Sequence, residues 1–325
     1  MAKILCFSIL ALIVFILIIL TIVVNIELDA FLSPFSFAWK KNEELESKKR
    51  ESNPKQEAHS PQEKIIREKA IQWMENTPFT DEYLTAKDKI KLHARLYKNA
   101  ESHLWAVCIH GWKGNIQNTA CYGMNYFERL HCNVLLPENR CTGETGGRHI
   151  GMGWLDKDDI CLWLNKIVSL DSEAKIVIHG ESMGGATVMM TTGNNPPPAL
   201  KCAVSDCGYT SVWEQFAHIH KNGMHLPTFP GMYIANCIAP LKVGYSLRQA
   251  SSVNQLKKCK VPICFAHGTE DDFVPCKMVY KNYEAVQNVP KEIFLFKNAK
   301  HCESEFADSE LYWKNILGFV KKYLS

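Results

Sequence analysis

The chain opens on an apolar run. From Ile4 to Val24 only Ser8 and Thr21 interrupt the hydrophobic residues, and neither carries charge. A helix of about 21 residues rising ~1.5 Å per residue covers roughly 30 Å, the hydrocarbon thickness of a bilayer. The pattern predicts a transmembrane anchor over residues 4–24. The alternative is a cleaved secretory signal, which has a shorter core of about 7–15 residues and a small-x-small cleavage site. No convincing Ala-x-Ala follows Val24, and the one cysteine in the run, Cys6, sits at its start.

Residues 25–64 read as a juxtamembrane segment and linker. Phe31, Phe35, Phe37 and Trp39 gather around Pro34, either as an interfacial aromatic belt or as a strap packed on the domain. Lys40 to Lys64 is polar and of mixed charge, the composition of a linker or a solvated helix. Ile65, Ile66, Ala70, Ile71, Trp73 and Met74 then recur at helical spacing and open a domain predicted over residues 65–325.

Within that domain short apolar runs alternate with helical periodicity. Ile90, Leu92, Ala94 and Leu96 alternate with polar residues, as on an antiparallel edge strand. Continuous apolar runs follow at 105–110, 133–137, 175–179, 200–205, 261–267 and 292–296, with helical patterns at 155–170, 184–192 and 311–324. Strands buried on both faces and separated by helices predict an α/β class with a mostly parallel, doubly wound sheet. The interval at about 210–253 has no strand character and holds Pro227, Pro230 and Pro240. An insertion of that size predicts a helical cap over the active edge, roofed by Met224, Leu226, Phe229, Met232 and Tyr233.

Composition changes this picture little. With 46% hydrophobic and 22% charged residues the chain is globular, not collagen-like, disordered or polytopic. A net charge of +3 gives no ground for a nucleic-acid partner. The length of 325 allows two domains, but the anchor and linker account for the excess over one. Lys3 beside the run favours the N-terminus inside and the domain outside the cytoplasm, while Lys40, Lys41, Lys48, Lys49 and Arg50 pull the other way. Thirteen cysteines form no zinc-like frame, and Cys108, Cys202 and Cys264 fall in core strands. Their odd number favours free thiols and a reducing setting, against an extracytoplasmic domain.

The chemistry lies in Lys175–Ala186, KIVIHGESMGGA. It reads as strand, then Gly180-Glu181-Ser182-Met183-Gly184, then helix, which is G-x-S-x-G in the context its mechanism needs. The sharp turn exposes the serine hydroxyl at the carboxyl end of the sheet and aims a helix N-terminus at developing negative charge. The segment resembles the nucleophile elbow of the α/β-hydrolase superfamily. HGESMGG, with LDKDDI at Leu155–Ile160, is similar to membrane-anchored or exported bacterial hydrolases of serine aminopeptidase-like and esterase-like branches.

The resemblance implies an α/β-hydrolase fold from about Asp81 onward and a triad ordered Ser, acid, His. Ser182 is then the nucleophile. His267-Gly268-Thr269-Glu270-Asp271-Asp272-Phe273-Val274-Pro275 resembles the acid loop HGxxDxxVP and points to Asp271, with Asp272 as the alternative register. His301 is the only one of twelve histidines after Asp271, in the position of the family's base; His110, His179 and His267 would support turns. His110-Gly111-Trp112-Lys113-Gly114 resembles HGxxG, which makes the N–H groups of Trp112 and Met183 the oxyanion donors. The chain departs from the family's Asp-x-Arg-Gly-like stretch at Pro137–Gly147, PENRCTGETGG, where Arg140 would pin the loop. Cys276 and Cys302 flank the acid and the base, so a disulfide between them is one expectation. No cofactor or metal is called for. The expected activity is hydrolysis of an acyl ester or thioester, with peptide hydrolysis, acyl transfer or a non-catalytic binding role as alternatives. The expected partners are a small-molecule or peptide acyl substrate and the membrane.

Overall fold

The computed structural model describes residues 2–41, 44, 60–99 and 101–324. Most of the linker expected at 40–64, including Lys48, Lys49 and Arg50, lies outside the described residues.

Eight strands form one sheet in the order β1-β2-β4-β3-β5-β6-β7-β8. These are β1 (Thr80–Thr85), β2 (Lys91–Tyr97), β3 (Leu104–Ile109), β4 (Asn133–Pro137), β5 (Lys175–Glu181), β6 (Leu200–Asp206), β7 (Ile263–Gly268) and β8 (Lys291–Phe296). β1 and β2 pair antiparallel, as do β2 and β4, and every other neighbour is parallel. β3, β5, β6 and β7 are buried almost throughout, which is why they read as continuous apolar runs. β2 is not the edge its alternation suggested. The more polar β1 covers it, with a burial pattern that leaves one face to solvent.

Apolar residues fill the layers on both faces of the sheet. On one lie α2 (Pro61–Asn76), α3 (Ala120–Leu130) and the C-terminal helix Ser309–Leu324, contributing Trp73, Tyr126, Trp313 and Phe319. α2 starts where Ser60 Oγ accepts the Glu63 N–H at 3.1 Å, with Pro61 at its first position. The other face carries α4 (Asp156–Leu170) and α5 (Met183–Thr192), whose Trp163, Leu164 and Met189 are buried.

The N-terminal helix α1 runs over Ala2–Leu32, 31 residues. At ~1.5 Å per residue it is about 46 Å long, more than a hydrocarbon core requires. It is the one helix among the described residues long and apolar enough to cross a membrane. Its side chains are exposed up to Val23 and then become buried at Val24, Leu28 and Leu32, four apart on one face. That face packs on α7 (Gly231–Val243) of the cap, which also contains α6 (Val212–His218). Lys242 Nζ donates to Asn25 Oδ1 at 2.8 Å and pairs with Asp29 Oδ2 at 2.7 Å. Ile150 N–H bonds Leu32 O, and Trp112 Nε1–H bonds Phe31 O at 3.0 Å. The aromatic segment divides the two roles expected of it. Phe31 and Trp39 pack on Trp112 as a strap, while Phe35 and Phe37 are exposed.

Candidate active site

Ser182 stands between β5 and α5 with φ 56° and ψ −115°, a conformation that costs a non-glycine residue about 1–3 kcal/mol and needs its surroundings to hold it. The surroundings do so. Ser182 N–H bonds Asp206 O at 2.9 Å on the neighbouring strand. A Cβ at Gly180 would lie 2.2 Å from Gly184 O, and one at Gly184 would lie 2.0 Å from Ile109 O. Both positions therefore require glycine, and the elbow is clamped against β3.

Three side chains from three separate loops meet there. Ser182 Oγ–H donates to His301 Nε2 at 2.8 Å, and His301 Nδ1–H donates to Asp271 Oδ2 at 2.8 Å. Asp271 is buried, whereas Glu270 and Asp272 are exposed. Its other oxygen accepts the Phe273 and Val274 N–H groups at 3.1 and 2.8 Å. Burial opposes ionisation of Asp271, but hydrogen bonds from His267 and His301 win and hold its pKa down at about 2. Burial likewise works against protonation of His301; the neighbouring Cys207 and Asp271 outweigh it and raise its pKa well above 6.5.

Trp112 and Met183, the expected oxyanion donors, both line the cavity over Ser182. The cavity is small and apolar, walled by Phe31, Met152, Phe216, Ile219 and Phe273. The cap residues expected as its roof divide differently. Met224 and Met232 line a second cavity next to it, and Leu226, Phe229 and Tyr233 are on the surface. The roof over Ser182 is Gln215, Phe216 and Ile219 instead.

Other sequence landmarks are framework. Tyr126 and Tyr312 hydroxyls flank the His179 ring at 3.1 and 3.0 Å, and burial drives its pKa down to about 3. His110 bonds the Asn139 N–H, and burial lowers it to about 4. Arg140 is clamped by both oxygens of Asp159 at 2.6 and 2.9 Å and by Asp88, which ties LDKDDI to the loop after β4. Glu138 accepts from His93 and from the Glu144 N–H, so it too supports that loop.

Cysteine pairing corrects one expectation. All thirteen thiols are free, so Cys276 and Cys302 are not bridged. The left-handed turn at Cys302, φ 61°, accompanies a Cys302 Sγ placed 3.7 Å from Cys207 Sγ after β6. Cys207, Cys302 and His301 offer donor atoms all within 4.8 Å of one another, the one such trio among the described residues. Both ring nitrogens of His301 are already engaged by Ser182 and Asp271, so a metal there would displace one of those bonds. Sequence reasoning did not reach Cys207, or the contact of His267 Nε2 with Asp271 Oδ2 at 3.2 Å. The Cys207–Cys302 contact comes from the order β6-β7-β8 in the sheet, which brings the loops after β6 and β8 together and which chain order does not display, whereas the His267–Asp271 contact is local to the loop after β7.

A sheet of this order with a serine elbow at the end of β5, the acid after β7 and the histidine after β8 defines an α/β-hydrolase. The chain belongs to the prolyl oligopeptidase family (Peptidase_S9), whose sequence model matches residues 152–325. It is 31% identical over 219 residues to the uncharacterized protein YqkD of Bacillus subtilis, covering 66% of this chain and 70% of that one. It is 25% identical over 256 residues to the α/β hydrolase domain-containing protein WAV2 of Arabidopsis thaliana, covering 76% and 80%. Among solved structures the esterase Pf2001 of Pyrococcus furiosus shares the fold at a TM-score of 0.62 and 19% identity, over 77% of this chain and 92% of that one.

Proposed function

We propose that the protein is a membrane-anchored serine hydrolase that cleaves acyl esters or thioesters through an acyl-enzyme. The observation that carries this reading is the unbroken chain Ser182–His301–Asp271, with two successive 2.8 Å bonds. In the first half-reaction Ser182 Oγ attacks the acyl carbonyl and its proton passes to His301 Nε2. The Ser182 O–acyl bond forms, the ester C–O bond breaks, and His301 returns the proton to the leaving alcohol. Water, deprotonated by His301, then releases the acid and frees Ser182. Asp271 holds the ring with Nδ1–H inward and stabilises its positive charge. The N–H groups of Met183 and Trp112 receive the oxyanion, a role supported by both residues lining the cavity over Ser182.

An apolar cavity with few polar walls favours an ester with an apolar acyl group over a peptide. Residues 4–24 serve as an uncleaved anchor, 25–64 as juxtamembrane segment and linker, and 65–325 as the hydrolase domain with its cap at about 210–253. Cleavage after Val24 would separate the spanning segment from Leu28 and Phe31, which are packed into the domain. The test is a panel of p-nitrophenyl esters of graded chain length beside aminoacyl p-nitroanilides. The expected result is ester turnover dependent on Ser182; faster turnover of anilides would make the protein a peptidase.

A further inference from the structure

The anchor helix does more than tether the domain, because its last turns form part of the wall above the nucleophile. A second apolar cavity is lined by Val24, Leu28, Met224, Met232 and Ala235. It shares Phe31, Phe216 and Ile219 with the cavity over Ser182. The Phe31 and Phe216 rings, 5.7 Å apart and tilted at 46°, stand between the two as a pair of leaves. From Val24 to Phe31 is about 10 Å along the helix axis at ~1.5 Å per residue. Val24 is the last residue of the apolar run, so with that run spanning a bilayer the outer end of this route lies close to the bilayer surface.

Two further features fix that level. Asn25, the first polar residue after the run, bonds Lys242 of the cap, and the preceding Leu241 is 92% exposed. An isolated leucine so exposed is uninformative, but here it sits beside the point where the helix leaves the apolar zone. Glu27 and His220, 3.9 Å apart, also border the outer cavity, about one helical turn inward of Val24. An apolar path that runs from the end of the apolar run to Ser182 matches an amphiphile whose acyl chain stays in the path while its ester end moves inward to the nucleophile.

We propose that the substrate is a membrane lipid bearing a long-chain acyl ester, taken directly from the bilayer. Its ester end passes Phe31 and Phe216 to reach Ser182, while its chain lies between α1 and α7 in the outer cavity and trails towards the bilayer. The proposal rests on the serine-hydrolase reading and names its substrate class. Chains of about 14 carbons or more partition into a bilayer, and each buried CH₂ contributes about 0.8 kcal/mol there. A hydrolase that draws on this pool needs its apolar groove at the membrane end.

The experiment uses the full-length chain reconstituted in phosphatidylcholine vesicles, with 1-octanoylglycerol and 1-palmitoylglycerol as probes and released fatty acid as readout. The wild type should favour palmitoyl over octanoyl by about tenfold or more in kcat/KM. Filling the outer cavity with Ala235→Phe or Leu28→Trp should reduce that ratio about tenfold. The two substitutions lie on different helices, so misfolding of one leaves the other to decide. A wild-type ratio near one, or a ratio unmoved by both variants, overturns the proposal. Turnover of p-nitrophenyl butyrate with no turnover of palmitoylglycerol overturns it alone; no turnover of any ester by the folded protein removes the serine-hydrolase reading as well. Preference for an S-palmitoyl peptide over palmitoylglycerol would assign the groove to acylated proteins and reject the lipid.

Discussion

Glycines at the elbow and in the cap meet opposite surroundings. At Gly184 an added Cβ would sit 2.0 Å from a backbone oxygen of β3, while at Gly244, after α7, it would meet nothing within 4 Å. One region holds a strained serine in a single geometry by backbone contact on every side. The other is a helical layer with exposed Phe229 and Leu241 and two apolar cavities between it and the N-terminal helix. The difference separates the fixed chemistry of the sheet edge from the adaptable recognition of the cap.

The largest effect is expected at the acid. Asp271→Asn keeps the shape but leaves His301 with the wrong tautomer, and kcat should fall by about 10⁴. Asp272→Asn, one residue along and exposed, should leave kcat within about twofold, since substitutions away from buried networks have small effects. Equal losses at both positions would return the acid assignment to the open choice left by the motif.

Stability comes next. Gly184→Ala forces backbone apart and should cost about 3 kcal/mol in urea unfolding. Gly244→Ala has space and suffers only from its φ of +83°, a cost of about 1 kcal/mol. Similar costs would mean that the elbow has slack and the comparison fails.

The smallest effect is on pH. His301 must be neutral to accept the Ser182 proton, so a raised pKa places the acid limb of kcat/KM above pH 6.5. The protonated ring is favoured in the folded state. Its stabilisation is present in full below the unfolded value of about 6.5 and is lost as pH rises through the folded value. Activity and stability should therefore move in opposite directions across one window. Cys207→Ser removes a neighbour that favours the charged ring, and the acid limb should shift to lower pH. An unmoved limb would mean that Asp271 alone sets it.

Much of this was legible in the residues. Parallel strands buried on both faces leave continuous apolar runs, and the elbow announces itself because its glycines and serine are adjacent in the chain. Order and motif pointed to Asp271 and His301, and the structure joins these two side chains and Ser182 in one chain of hydrogen bonds. β1 was hidden, since TDEYLT is polar and its assignment depends on pairing with β2. Phe31 was legible as an aromatic but not as a wall of the site, because its contacts with Trp112 and Phe216 are long-range and follow from how α1 docks. Cys207 likewise meets Cys302 only once β6, β7 and β8 lie side by side.

In this reading Ser182 is a nucleophile activated through His301. An alkyl fluorophosphonate applied to the full-length protein, followed by peptide mass mapping, tests it directly. The account predicts a single phosphonylated peptide containing Ser182, formed by the wild type and absent from Ser182→Ala. A folded wild type that takes no label, or a Ser182→Ala variant that is labelled equally, would contradict it.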